Sequence, residues 1–209
     1  MKPREDIVVA VGLKETLVSY PRMLKSLINN NRSDKNTTHS YLEVYELFLQ
    51  RIKDSATNVM EIGIWAGGGL LMFRDYFPNA TVYGLDIITS DQVEPDLKEA
   101  TRINLLLSVD AYTPELINLF KASGKKFDMI VDDGPHTLES MLFFIKHYSA
   151  LLTDDGILVV EDIPEYEWTQ KMLQELPPSL VKSTFIIDRR HVNGRHDDIM
   201  LFVDKGRSH

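Results

Sequence analysis

Residues 129 to 136 read MIVDDGPH, an apolar run that ends in two carboxylates, a glycine, a proline and a histidine. A second apolar run closes on VVEDIP, which places Glu161 and Asp162 28 and 29 residues after Asp133. Oxygen donors at the ends of two neighbouring buried strands suit a hard divalent cation such as Mg²⁺, which prefers octahedral oxygen and keeps positions open for water or substrate. His136 lies three residues beyond Asp133, and a neutral imidazole near pH 7 can accept a proton. Asp132 takes the place of Asp133 if the strand register slips by one. A plainer reading makes Asp132, Asp133 and Gly134 a turn into the next helix.

A third cluster comes earlier. The run EIGIWAGGG carries Glu61, Gly63 and Gly67 ahead of a helical pattern, and glycines there allow a sharp turn and close approach of a ligand to the backbone. Asp86 closes the next apolar run 23 residues after Gly63, where an acid can bond the hydroxyls of a ribose, and Asp110 closes the one after. A dinucleotide site usually shows G-x-G-x-x-G; the spacing here is E-x-G-x-x-x-G, with Trp65 in the intervening stretch.

These residues need a scaffold. Nearly continuous β-branched runs at 58–64, 80–87, 104–110, 127–133 and 156–163 alternate with helical patterns, as in a parallel sheet covered on both faces. The clearest helix spans 137–152, with a 3.6-residue stripe from Leu138 to Leu152; 113–123 and a stretch opening at Gly69 are shorter ones. A further helix begins near Pro164 and stops at the prolines of 177. Two strands follow, and Asn193-Gly194 between them predicts a tight hairpin turn. The first 55 residues read as a helical extension packing on a core of 56–209, in one globular domain overall. An amphipathic piece falls around 14–28 and a helix around 41–53.

Composition narrows the function classes. The chain has 209 residues, 44% of them hydrophobic, enough for a substantial core. A net charge of −8 disfavours a nucleic-acid backbone binder. With no cysteine there is neither a disulfide framework nor a thiolate metal site. No apolar run approaches the roughly 20 residues that span a bilayer. The expectation is a cytoplasmic protein without a membrane partner, compatible with a homo-oligomer.

Parallel strands closed by an antiparallel hairpin resemble the class I (Rossmann-like) methyltransferases: a seven-stranded, mostly parallel sheet with helices on both faces. In that light the glycine loop is similar to that of S-adenosylmethionine enzymes. The resemblance implies that Gly63 and its loop hold the methionine portion, Asp86 the ribose and the stretch around Asp110 the adenine. DKNTTHSYLEVYE, EIGIWAGGG, IVDDGPH and GILVVEDI, in that order, resemble the metal-dependent sugar O-methyltransferases of the macrocin and mycinamicin type over about residues 33 to 163. That likeness implies Mg²⁺ on Asp133, Glu161 and Asp162, with His136 as general base. It also implies a small-molecule or glycan acceptor with vicinal hydroxyls, a deoxyhexose such as rhamnose. Lys35, His39, Tyr41 and Tyr45 fall in a stretch resembling the family's D-K-x-x-x-H-x-Y segment, which packs over the cofactor; an amphipathic helix covering the sheet explains the tyrosines equally well. A catechol or phenolic-diol methyltransferase and a non-catalytic binding module are the rival readings.

Overall fold

The computed structural model describes residues 23–207. Two helices, α1 (Met23–Leu27) and α2 (Leu42–Leu49), precede the first strand, β1 (Asn58–Ile62). The chain then alternates: α3 (Gly68–Tyr76), β2 (Thr81–Asp86), α4 (Pro95–Lys98), β3 (Ile103–Leu107), α5 (Pro114–Ser123), β4 (Phe127–Asp132), α6 (Leu138–Tyr148), β5 (Leu152–Val160) and α7 (Tyr166–Glu175). It closes with α8 (Pro178–Val181), β6 (Thr184–Asp188), α9 (Arg190–Asn193) and β7 (Ile199–Asp204). Most of the helix expected around 14–28 lies outside the described residues.

The seven strands form one sheet in the order β3-β2-β1-β4-β5-β7-β6. The first five are parallel; β7 runs antiparallel between β5 and β6. Strand alternation sends successive side chains to opposite faces. Val59, Met129, Val131, Ile157 and Val159 therefore meet the residues of α1, α2 and α3 in one core. Met60, Ile62, Ile130, Leu158 and Val160 meet those of α5, α6 and α7 in the other. Both faces are covered, which is why the central strands read as unbroken apolar runs.

The terminal strands pair antiparallel as expected, but Asn193-Gly194 does not make a two-residue hairpin turn. Arg190–Asn193 forms a helical turn that Gly194 ends with φ +73°. A left-handed glycine closes a helix as readily as it turns a hairpin, so the dipeptide alone does not separate the two. The helix expected from Pro164 starts at Tyr166, because the segment after β5 first carries Glu161 and Asp162 across the sheet end.

Candidate active site at the strand ends

The sheet order reverses between β1 and β4, and a crevice opens beyond the carboxyl ends of those strands, the usual ligand position in such sheets. Backbone hydrogen bonds continue past the strand ends and set the loops in register: Gly63 N–H to Leu85 O (2.9 Å), Asp133 N–H to Ile62 O (2.9 Å) and Glu161 N–H to Asp132 O (3.1 Å). Gly63, Asp133 and Glu161 are thereby brought beside one another from positions up to 98 residues apart in the chain.

A cavity of about 860 Å³ lies there. Gly63, Asp86, Asp110, Asp133, His136 and Asp162 line it, so six of the residues singled out in the sequence share one wall system. Glu61, Gly67, Lys35, Tyr41 and Glu161 are not on those walls. Gly67 precedes α3 as its N-cap at φ +77°, and the other four are buried. Gly63 has a steric reason to be glycine: its φ is +83°, and a Cβ would stand 2.0 Å from the Asp133 carbonyl oxygen. Gly63→Ala is therefore expected to cost about 2 kcal/mol or more of stability, read from denaturant unfolding. Asp86 accepts the backbone N–H groups of Ile64 (2.8 Å) and Ile88 (3.2 Å), tying the glycine loop to the end of β2.

Within the cavity, ligand atoms of Asp133, His136 and Asp162 all lie within 4.8 Å of one another. His136 Nε2 is 3.2 Å from Asp133 Oδ1 and 3.6 Å from Asp162 Oδ2. Both His136 (φ +53°) and Asp162 (φ +51°) adopt left-handed backbone, uncommon for such residues and concentrated at functional sites. His136 directly precedes Thr137, whose hydroxyl accepts the Ser140 N–H (3.2 Å) to cap α6. The helix start thus sets the imidazole position. Burial opposes the imidazolium, but the Asp133 hydrogen bond and the Asp162 charge outweigh it and raise the His136 pKa above 6.5. Burial also pushes the Asp133 carboxyl up, yet Lys35 and His136 prevail and hold it down at about 2. Asp162 is raised, chiefly by burial and then by the Asp133 charge. Asp132 faces the other way, toward Tyr112, whose hydroxyl donates to it; burial lifts its pKa to about 7.

Glu161 is turned into the core, 1% exposed, where it accepts from Tyr45 (2.5 Å) and from Lys35. The acids are further braced from the stretch before and within α2. Tyr41 donates to Asp162, and His39 Nδ1 stands 3.3 Å from Asp162 Oδ1 and 2.6 Å from the fully buried Asp198 Oδ1. Two partners were missed in the sequence. Tyr112 has no signal beyond its place two residues after Asp110, and Asp198 stands directly before the last apolar run, where an acid reads as a strand end.

The walls also carry information about what fits. Asp34, Asp86, Asp110, Asp133, Glu139 and Asp162 line the cavity, with no lysine or arginine among its described lining residues. Six carboxylates suit a cationic ligand such as a sulfonium nucleoside and disfavour a pyrophosphate-bearing dinucleotide. The two carboxylates converging beside His136 suit a hard divalent cation, which would offset the repulsion between Asp133 and Asp162.

Comparison with solved structures decides the fold. The chain superposes on the MycE methyltransferase of the mycinamicin biosynthetic pathway, determined in complex with Mg and SAH, with a TM-score of 0.68 at 20% identity, over 90% of this chain and 55% of that one. The fold is that of a class I methyltransferase. In sequence, this methyltransferase-fold chain is 30% identical over 153 residues to the 8-demethyl-8-alpha-L-rhamnosyl tetracenomycin-C 2'-O-methyltransferase of Streptomyces olivaceus, covering 69% of this chain and 39% of that protein. It is 24% identical over 201 residues to the mycinamicin VI 2''-O-methyltransferase of Micromonospora griseorubida, covering 81% and 49%. The chain belongs to the family of these sugar O-methyltransferases, and it spans less than half of their length. No family model matches the chain.

Proposed function

We propose that this chain is an S-adenosylmethionine- and Mg²⁺-dependent O-methyltransferase whose acceptor is a sugar hydroxyl, a deoxyhexose such as rhamnose in a glycoside or glycan. The observation that carries the reading is the convergence of Asp133, His136 and Asp162 in the cavity that Gly63 and Asp86 also line. The donor's nucleoside would lie along the outer part, with Gly63 against its methionine portion, Asp86 at the ribose and the Asp110 stretch at the adenine. Asp133, Glu161 and Asp162 would hold the metal, with Glu161 reaching it once released from Lys35. Residues 56–209 act as the core of an intracellular enzyme, and 1–55 as an extension that brings Lys35 and Tyr41 behind the acids.

A sugar hydroxyl is a weak nucleophile with a high pKa, and a bound divalent cation supplies the acidification and fixed direction that a pair of vicinal oxygens requires. The chain's own part is placement and proton transfer. The His136 side chain, one-third exposed, gives its Nε2–H to Asp133 and would accept the hydroxyl proton at the other ring nitrogen, while Asp133 and Asp162 stabilise the imidazolium that results. The acidic walls orient the cationic donor, and exclusion of water with correct alignment can lower the barrier by roughly 7 to 11 kcal/mol in favourable cases.

Transfer of labelled methyl from S-adenosylmethionine to a panel of rhamnosyl and other deoxyhexosyl glycosides, set beside catechols, tests this reading. Product on the glycosides that disappears with chelator is expected. Transfer to catechols alone would replace the sugar assignment, and transfer that chelator leaves intact would remove the metal.

A further inference from the structure

The strand register places Asp133 and Glu161 level with one another. Val131 pairs with Val159 across β4 and β5, and the next residues on that face are Asp133 and Glu161. Glu61, on β1 opposite Val131, points the same way. Three carboxylates thus end three adjacent strands on one face of the sheet, and like charges at directly opposed positions repel. Lys35 comes over from the segment before α2 and sets its ammonium among them. Its Nζ is 2.6 Å from Asp133 Oδ2 and 3.4 Å from Glu61 Oε1, and it donates to Glu161. The side chain is 3% exposed. A buried lysine is costly unless it is paired, and this one is paired threefold.

We propose that Lys35 is a resident cation of the acid cluster: it holds Asp133 and Glu161 side by side when no divalent ion is bound, and it competes with that ion for the same carboxylates. The proposal rests on the reading above that Asp133, Glu161 and Asp162 hold a divalent cation. Lys35 is then a positioning residue. It keeps the strand ends assembled for metal capture and limits how tightly the metal is held, because an ammonium against a ligand carboxylate repels an arriving dication. Tyr45 serves as the neutral counterpart, since it donates to the same Glu161 without bringing charge.

The test uses the full chain and magnesium chloride alone, followed by thermal unfolding and titration calorimetry, with no turnover involved. In chelator, Lys35→Met and Lys35→Gln should lower the unfolding midpoint by on the order of 10 °C. Magnesium should then raise it by more than it does in the wild type, with affinity for the ion increased roughly tenfold or more. Lys35→Arg, which keeps the charge, should keep the wild-type magnesium response, and Tyr45→Phe should lose stability with that response unchanged. Neutral variants that are less stable but respond to magnesium no more than the wild type would make Lys35 a structural ion pair only and overturn the proposal. So would failure of both to fold with magnesium present, since the ion should replace the missing charge. A wild-type protein that takes up no magnesium would remove the metal site and the proposal together. Magnesium uptake by the wild type with an unaltered response in the variants defeats the proposal alone.

Discussion

Replacing His136 with alanine is expected to lower methyl transfer by roughly 10²- to 10⁴-fold while donor affinity stays within a few-fold. The imidazole is held against Asp133 and Asp162, whereas Gly63, Asp86 and Asp110 line the same cavity from the ends of other strands. Loss of the proton acceptor should therefore leave the nucleoside contacts standing. The pH dependence supplies an independent check. A base works only when unprotonated, so the wild-type rate should rise as pH climbs through the His136 pKa. In the metal-free chain Asp133 and Asp162 keep that pKa above 6.5, and a dication shared by the two acids would return it toward that value. The acid limb should be missing from the alanine variant. Unchanged turnover, or a limb that survives the substitution, would take His136 out of the reaction. Isothermal titration with S-adenosylhomocysteine, run beside the rate measurements, separates binding from chemistry.

Asp133→Ala is expected to have the second large effect, abolishing the response to added Mg²⁺ together with most of the rate. Asp133 has one oxygen on Lys35 and the other on His136, so it joins the candidate metal position to the candidate base. Losses on the order of 10³-fold or more are consistent with removing a metal ligand and a base-orienting group at once. The folded chain should survive, because Lys35 retains Glu161 and Glu61 as partners. A variant whose rate still climbs with magnesium as in the wild type would show that the ion sits elsewhere. Asp132→Asn is the informative neighbour: Asp132 points away from the cluster toward Tyr112, and its loss should cost stability more than magnesium response.

Much of the scaffold could be read from local pattern. Runs of buried β-branched residues become parallel strands wherever helices cover both faces, and the five runs at 58–64, 80–87, 104–110, 127–133 and 156–163 correspond to β1 through β5 within a few residues. The antiparallel end of the sheet was legible as well, though not the means of turning: Asn-Gly permits left-handed backbone in either a hairpin or a helix end, and the choice went to the helical turn of α9. Short helices such as α4 and α8 escaped, since four residues are too few to show a 3.6-residue period.

At the site, the sequence by itself determined which residues stand at strand ends, because the position of an acid after an apolar run is a local property. Asp86, Asp133 and Asp162 line the cavity for that reason, as do Gly63 and His136. Tertiary structure alone decided what each acid meets. Successive residues leave a strand on opposite faces, so Glu161 entered the core toward Lys35 and Tyr45, while Asp162, bent into left-handed backbone, turned to the cavity. The lysine that balances three of the acids arrives from 26 residues before the nearest of them and 126 before the farthest. No period or spacing in a linear chain encodes that meeting; it follows from how β1, β4 and β5 align and from the segment that α1 and α2 lay across their ends.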